Sequence, residues 1–189
     1  MIIDVLIYNN KTSECQQKRH KEIGLIIFQR HLNMELTEYK DIVYQIIGSA
    51  MTVHSEMGWG LLEPVYQEAL SIELDIRNIQ NIREEGINIY YKGYELDKKY
   101  KMDIVVGNII VELKSVVRLE AAHRAQLCNY MRLTKKPIGL LINFGESHLV
   151  GERWAYDEKT NDCFIVDKNM QRVFNKDYNL LLDIENSEY

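Results

Sequence analysis

Two apolar runs, Tyr100 to Val106 and Ile109 to Leu113, are separated only by Gly107-Asn108. Such a pair between β-rich runs is a strong signal for a tight hairpin turn. The runs therefore pair as antiparallel strands, and the rest of the chain has to be arranged around that ribbon. Leu119 to Leu133 follows as a helix, offering Ala121, Ala122, Ala125, Leu127 and Tyr130 for packing, and Pro137 stops it. Ile138 to Phe144 is continuously apolar, the mark of a central strand covered on both faces.

Upstream, Thr37 is placed to cap a helix carrying Ile42, Val43, Ile46, Ile47, Ala50 and Val53 at helical spacing. Gly58-Trp59-Gly60 breaks it, with Trp59 expected to pack between this helix and the next. A second helix is predicted from Leu61 to Ile79, with Val65, Tyr66, Ala69, Leu70 and Leu74 on one face and Pro64 in its first turn. Ile87 to Tyr91 reads as a strand before a turn at Lys92-Gly93. Phe164 to Val166 reads as an edge strand, and Leu180 to Leu182 as a terminal turn or helix. The order predicts a mixed sheet with helices against it, an α/β or α+β architecture. The domain is drawn at residues 37–170, with an N-terminal extension (1–36) and a C-terminal tail (171–189). Met34, just before the first helix, is a second place where translation could start.

The 189-residue length suits one domain, and 46% hydrophobic with 27% charged residues suits one that buries a core. No apolar run approaches the roughly 18 residues of a membrane span, and no secretory signal is recognisable at Met1. The three cysteines are far apart in sequence and lack CxxC spacing, which argues against a disulfide framework or cysteine zinc site and fits a cytoplasmic protein. Net charge is −5, but residues 98–136 hold nine Lys or Arg against three Asp or Glu. A basic segment on an acidic body can supply the local field that phosphate binding needs; the alternative is a solvated face.

Asp103 and Glu112 lie on the two strands of the hairpin, where they can be brought together at the end away from the turn. Paired carboxylates suit Mg²⁺ or Mn²⁺, hard cations that prefer oxygen. Lys114 is two residues beyond Glu112, on the same strand face. There it can orient a water and offset charge on a phosphate. The E-x-K tripeptide alone carries little weight, because Glu38-Tyr39-Lys40 repeats it at the start of a helix.

The stretch Gly60-Leu61-Leu62-Glu63-Pro64-Val65-Tyr66 resembles the signature of the GxxExxY proteins, a branch of the PD-(D/E)XK nuclease superfamily. Lys101-Met102-Asp103 is similar to its basic-x-Asp element, and Ile110 to Ser115 to its E-x-K strand. Gln126 to Tyr130 resembles its QxxxY helix, and Gly139 to Gly145 the strand after it. The resemblance spans residues 38–168 and departs from the branch at Pro64. It implies a restriction-endonuclease-like αβββαβ core with a four-stranded mixed sheet. It also implies a metal held by Glu63, Asp103, Glu112 and the Leu113 carbonyl, with Lys114 and Gln126 completing the catalytic set and Tyr130 lining the site. Arg118, His123 and Arg124 join Tyr130 as expected nucleic-acid contacts.

Each residue also has a plainer reading. Glu63 suits a helix N-terminus without metal, Tyr66 and Tyr130 suit a core, and Gln126 suits a buried backbone edge. His123 suits a structural role, and Arg118, Arg124, Arg132, Lys135 and Lys136 suit a solvated helix. The leading expectation is an Mg²⁺- or Mn²⁺-dependent nuclease acting on DNA, with RNA as the other substrate. The competing readings are an inactive nucleic-acid-binding module of the same fold, and a protein acting through a partner docked on its N-terminal segment. No membrane partner is expected; a homodimer is an open assembly.

Overall fold

A computed structural model describes residues 36–173. The N-terminal extension, the start at Met34, Cys15 and the Leu180–Leu182 element lie outside these residues. In chain order the elements are α1 (Lys40–Met57), α2 (Glu63–Ile76), β1 (Ile82–Ile87), β2 (Tyr90–Tyr91), β3 (Tyr94–Glu95), β4 (Tyr100–Val106), β5 (Ile109–Lys114), α3 (Ala121–Thr134), β6 (Ile138–Asn143), β7 (Val150–Asp157) and β8 (Asp162–Val166).

The fold is a mixed α/β sheet flanked by helices, as the sequence predicts, but with six strands rather than four. They run β1-β4-β5-β6-β7-β8, and β2 and β3 form a separate hairpin. Neighbours are antiparallel except β5 and β6, which run parallel because α3 crosses between them. The β4–β5 hairpin turns at Gly107-Asn108, with Val106 opposite Ile109; Gly107 has φ +55°, which its missing Cβ permits. Every residue of β5 and β6 is buried, as a central pair requires.

Helices cover both faces. Val43, Ile46 and Ala50 of α1 and Tyr66, Leu70 and Leu74 of α2 pack with Val111, Leu113, Leu140 and Ile142. On the other face Leu127, Tyr130 and Met131 of α3 pack with Met102, Val105, Ile110 and Leu141. A fully buried side chain such as Ile46 or Leu70 contributes roughly 1.5–3 kcal/mol by leaving water. Gly139 permits close approach of α3 to β6: an added Cβ would fall 2.7 Å from Met131 Sδ and 2.9 Å from Leu127 Cδ1.

Several expectations need correction. Thr37 does not cap α1; Tyr39 holds that position and makes no side-chain cap. The second helix is shorter than expected because Leu62 stays extended ahead of Pro64, and Val65 faces solvent. Trp59 is 60% exposed and not wedged between helices. The strand expected at Ile87 to Tyr91 is split: Ile87 ends β1, which begins at Ile82, and Tyr90–Tyr91 form β2; as a sheet edge β1 tolerates the polar Arg83-Glu84-Glu85 that hides it from a hydrophobicity pattern. On α3, Ala121, Ala122 and Ala125 are exposed, whereas Cys128 and Met131 are buried. Strand β7 went unforeseen because Gly151-Glu152-Arg153 breaks the apolar run, although Glu152 and Arg153 are buried. Cys128 and Cys163, distant in sequence, come together: Cys163 Sγ lies 3.8 Å from the Cys128 carbonyl oxygen, with both thiols free.

Candidate active site

The site forms where β4 and β5 begin to separate. Their pairing runs from Val106–Ile109 to Ile104–Val111, and the next step of that register sets Asp103 opposite Glu112. Instead of continuing the ladder, Asp103 turns its carboxylate onto the partner strand: its Oδ2 accepts from the Leu113 amide at 2.8 Å. Gln67, one turn beyond Glu63 on α2, donates to the Asp103 carbonyl at 2.9 Å. Both faces of Asp103 are thus tied down.

Glu112 and Lys114 occupy alternate positions on β5 and project to one side. Lys114 Nζ donates to Glu112 Oε1 at 2.6 Å and to the Leu113 carbonyl at 2.8 Å, and lies 3.7 Å from Glu63 Oε1. Two carboxylates therefore flank one ammonium, the buried Glu112 and the 39% exposed Glu63, and the Asp103 charge also acts on it. Burial, with the Asp103 charge, pushes Glu112 up to about 7. Burial likewise raises Asp103 and Glu63. Burial alone would lower Lys114, but Glu112, Glu63 and Asp103 outweigh it and hold the ammonium above its usual value.

The surrounding backbone fixes this geometry. Tyr66 is buried; its hydroxyl donates to the Gly58 carbonyl at 2.8 Å and accepts from Leu61 N–H at 3.1 Å. Its ring stacks on Phe144 at 4.4 Å. Those bonds set the loop that delivers Glu63 to the first turn of α2, where the helix dipole favours its charge. At the same end of β5, the Phe144 amide donates to the Lys114 carbonyl at 2.7 Å. The buried Asn143 amide group accepts from Val116 N–H and Gly145 N–H and donates to the Val116 carbonyl and Glu146.

Asp103, Glu112, Lys114 and the Leu113 carbonyl thus come together, and Glu63 meets them through Lys114. Gln126 donates to the Tyr130 hydroxyl at 2.9 Å. Burial raises Tyr130, and Glu112 and Asp103 push the same way, so its hydroxyl lies within their field. Three further residues expected to contact phosphate lie on α3 and the loop before it. Arg118 is exposed on the loop before α3. His123 is engaged in a capping box, its Nδ1 accepting from the Glu120 amide at 3.0 Å. Arg124 forks onto the buried Glu152 at 2.5–3.0 Å. Gln67 and Asn143 were missed by sequence reasoning. Gln67 could have been found from its four-residue spacing to Glu63, and Asn143 as a polar residue closing an apolar strand.

Among the described residues no three His, Cys, Asp or Glu side chains already form a cluster able to hold a metal. The donors nonetheless suit a hard divalent cation: two carboxylates, an adjacent backbone carbonyl, and a Glu112 Oε2 that is buried without a hydrogen-bond partner. A cation there would satisfy that orphaned oxygen.

The sequence model describing the PD-(D/E)XK nuclease superfamily matches residues 40–154. No curated protein matches this chain. Among solved structures, one titled "Crystal structure of SSO0001" is similar at 21% identity, over 52% of this chain and 52% of that chain, with a TM-score of 0.41. The match spans about half of each.

Proposed function

The chain belongs to the PD-(D/E)XK nuclease superfamily, and on that premise we propose that it is a metal-dependent nuclease hydrolysing phosphodiester bonds of DNA, built on Asp103, Glu112 and Lys114. The observation that carries this reading is the buried Glu112 carboxylate, bonded to Lys114 through one oxygen and without a partner at the other. Five motifs in register, from Gly60–Tyr66 to Gly139–Gly145, support placing it in the GxxExxY branch.

Asp103, Glu112 and the Leu113 carbonyl would hold Mg²⁺ or Mn²⁺, which when bound supplies Lewis acidity at the scissile phosphate and lowers the pKa of a water. Asp103 is held for this by Leu113 N–H and Gln67. Lys114 orients the attacking water and offsets charge gathering on the phosphate oxygens. Glu63, half-buried at the start of α2, steers the Lys114 ammonium. Gln126 and Tyr130, bonded to each other on α3, bound the substrate side of the pocket.

The test is cleavage of supercoiled plasmid and labelled linear DNA by purified protein in Mg²⁺, Mn²⁺ and EDTA. Wild type is expected to cut only with metal, and Glu112→Ala and Lys114→Ala to lose the activity. If wild type and both variants are equally inert on DNA and RNA, the enzyme reading fails.

A further inference from the structure

Four of the twelve tyrosines in the chain, Tyr90, Tyr91, Tyr94 and Tyr100, fall within eleven residues. Nothing in the site described above uses the first three. Tyr90 and Tyr91 form β2 and Tyr94 opens β3, a two-stranded hairpin outside the main sheet, and they are 60%, 63% and 76% exposed. Large aromatic rings at such exposure bury little surface, so folding does not account for them. Lysines are interleaved. Lys92 sits at positive φ in the hairpin turn with its ammonium 5.5 Å from the Tyr91 ring centre; Lys98 and Lys99 are exposed in the strand return, Lys99 with its ammonium 3.3 Å from Glu95 Oε1. Residues 90–101 hold four lysines against two acids.

The hairpin also connects to the site. It is the excursion between β1 and β4, and Tyr100, where β4 begins, pairs with Ile87. The half-exposed Tyr100 ring lies 5.7 Å from that of Tyr130, whose hydroxyl accepts from Gln126 of the candidate site. Three residues beyond Tyr100 stands Asp103. The strand that leaves the hairpin thus carries both Tyr100, beside Tyr130, and Asp103 of the site.

We infer that the β2–β3 hairpin and Tyr100 form a binding track for single-stranded nucleic acid, with unpaired bases stacking on the tyrosines and phosphates following Lys92, Lys98 and Lys99 toward the carboxylate site. The chemistry selects single strands because stacking needs a free base face, which a duplex hides. The lysines supply the sequence-independent phosphate attraction. An apolar protein partner would gain nothing from the interleaved ammonium groups. The inference rests on the nuclease reading for the destination of the strand, but the track binds whether or not the chain cuts.

The experiment is fluorescence anisotropy of the full chain in EDTA, where no cleavage occurs, with labelled 20-mer oligo(dT), oligo(U) and a 20-base-pair duplex as probes. Wild type is expected to bind oligo(dT) at least about tenfold more tightly than duplex. Tyr91→Ala and Tyr94→Ala should each weaken it by roughly five- to a hundredfold, with phenylalanine at the same positions restoring binding. Lys98→Glu should weaken binding and flatten its salt dependence, which keeps a test available if a tyrosine variant misfolds. Oligo(U) binding equal to or above oligo(dT) supports the track and points to RNA as substrate. Equal affinity for duplex and single strands, alanine variants that melt and bind like wild type, or no binding to either oligonucleotide overturns the inference. Tyrosine-dependent binding without cleavage in Mg²⁺ or Mn²⁺ sinks the nuclease reading and leaves the track standing.

Discussion

Lys114 and Glu112 form a buried ion pair across alternate residues of one strand, with Nζ 2.6 Å from Oε1. The pair is unbalanced. Asp103 and Glu63 add two further carboxylates around the same ammonium, and burial raises all three acids. Such an arrangement opposes full ionisation until something positive enters.

The first expected consequence is a pH-dependent stability of the metal-free protein. Glu112 has a folded-state pKa of about 7, above its usual 4.5. A raised acid contributes most below its unfolded pKa and loses that contribution as pH rises to its folded pKa. Stability in EDTA should therefore fall between about pH 4.5 and pH 7 by an amount on the order of 3 kcal/mol from this group. Asp103 and Glu63 act in the same sense. Glu112→Gln, which stays neutral, should flatten the profile and melt above wild type at pH 8. Denaturant unfolding at pH 5 and pH 8 reads this directly; a wild type more stable at pH 8 would contradict it.

Removing the other partner gives the opposite pH signature. Lys114→Met leaves Glu112 without its counter-ion, and an unpaired buried charge costs about 3 kcal/mol or more. The loss should be large at pH 8 and small at pH 5, where Glu112 takes up a proton. Equal losses at both pH values would show that the ammonium contributes packing alone.

Gly145 is required by close approach. A Cβ there would run into the Val116 backbone amide and carbonyl, which cannot yield as a side-chain end can. Gly145→Ala should cost about 1–3 kcal/mol through overpacking. By straining the Asn143–Val116 network it should also lower cleavage more than folding stability predicts. Unfolding midpoints and initial rates measured together test this; a neutral substitution would mean the segment after β5 shifts freely.

Arg124 separates a structural role from a phosphate contact. It forks onto Glu152, which also accepts from Trp154 Nε1 at 3.0 Å. Arg124→Ala should lower stability by about 2 kcal/mol and leave the salt dependence of nucleic-acid binding unchanged. A shallower salt slope with unchanged melting would restore the phosphate role.

The β4–β5 hairpin, α3 and β6 were legible because two short apolar runs split by a Gly-Asn turn, and a continuous apolar segment after a proline, each have a single physical reading. From these and the ordered motifs, the meeting of Asp103, Glu112 and Lys114 could be foreseen. Strands β1 and β7 were not legible, for opposite reasons. Edge strand β1 needs no apolar pattern, while β7 buries charges whose pairing with α3 depends on tertiary contact. His123 and Arg124 show the same limit: composition marked them as basic, and only packing revealed that one is in a cap and the other in an ion pair. Tyr66 suited a core aromatic from sequence, and it is one, although its hydroxyl also shapes the loop before Glu63.

The most direct test of the central claim is an anomalous-scattering map from a crystal of the full chain soaked in Mn²⁺ above pH 7. The expected result is a peak coordinated by Asp103, Glu112 Oε2 and the Leu113 carbonyl oxygen, with Lys114 Nζ withdrawn from that carbonyl. A map with no peak between the two carboxylates, and Lys114 still bonded to Glu112 and Leu113, would contradict it.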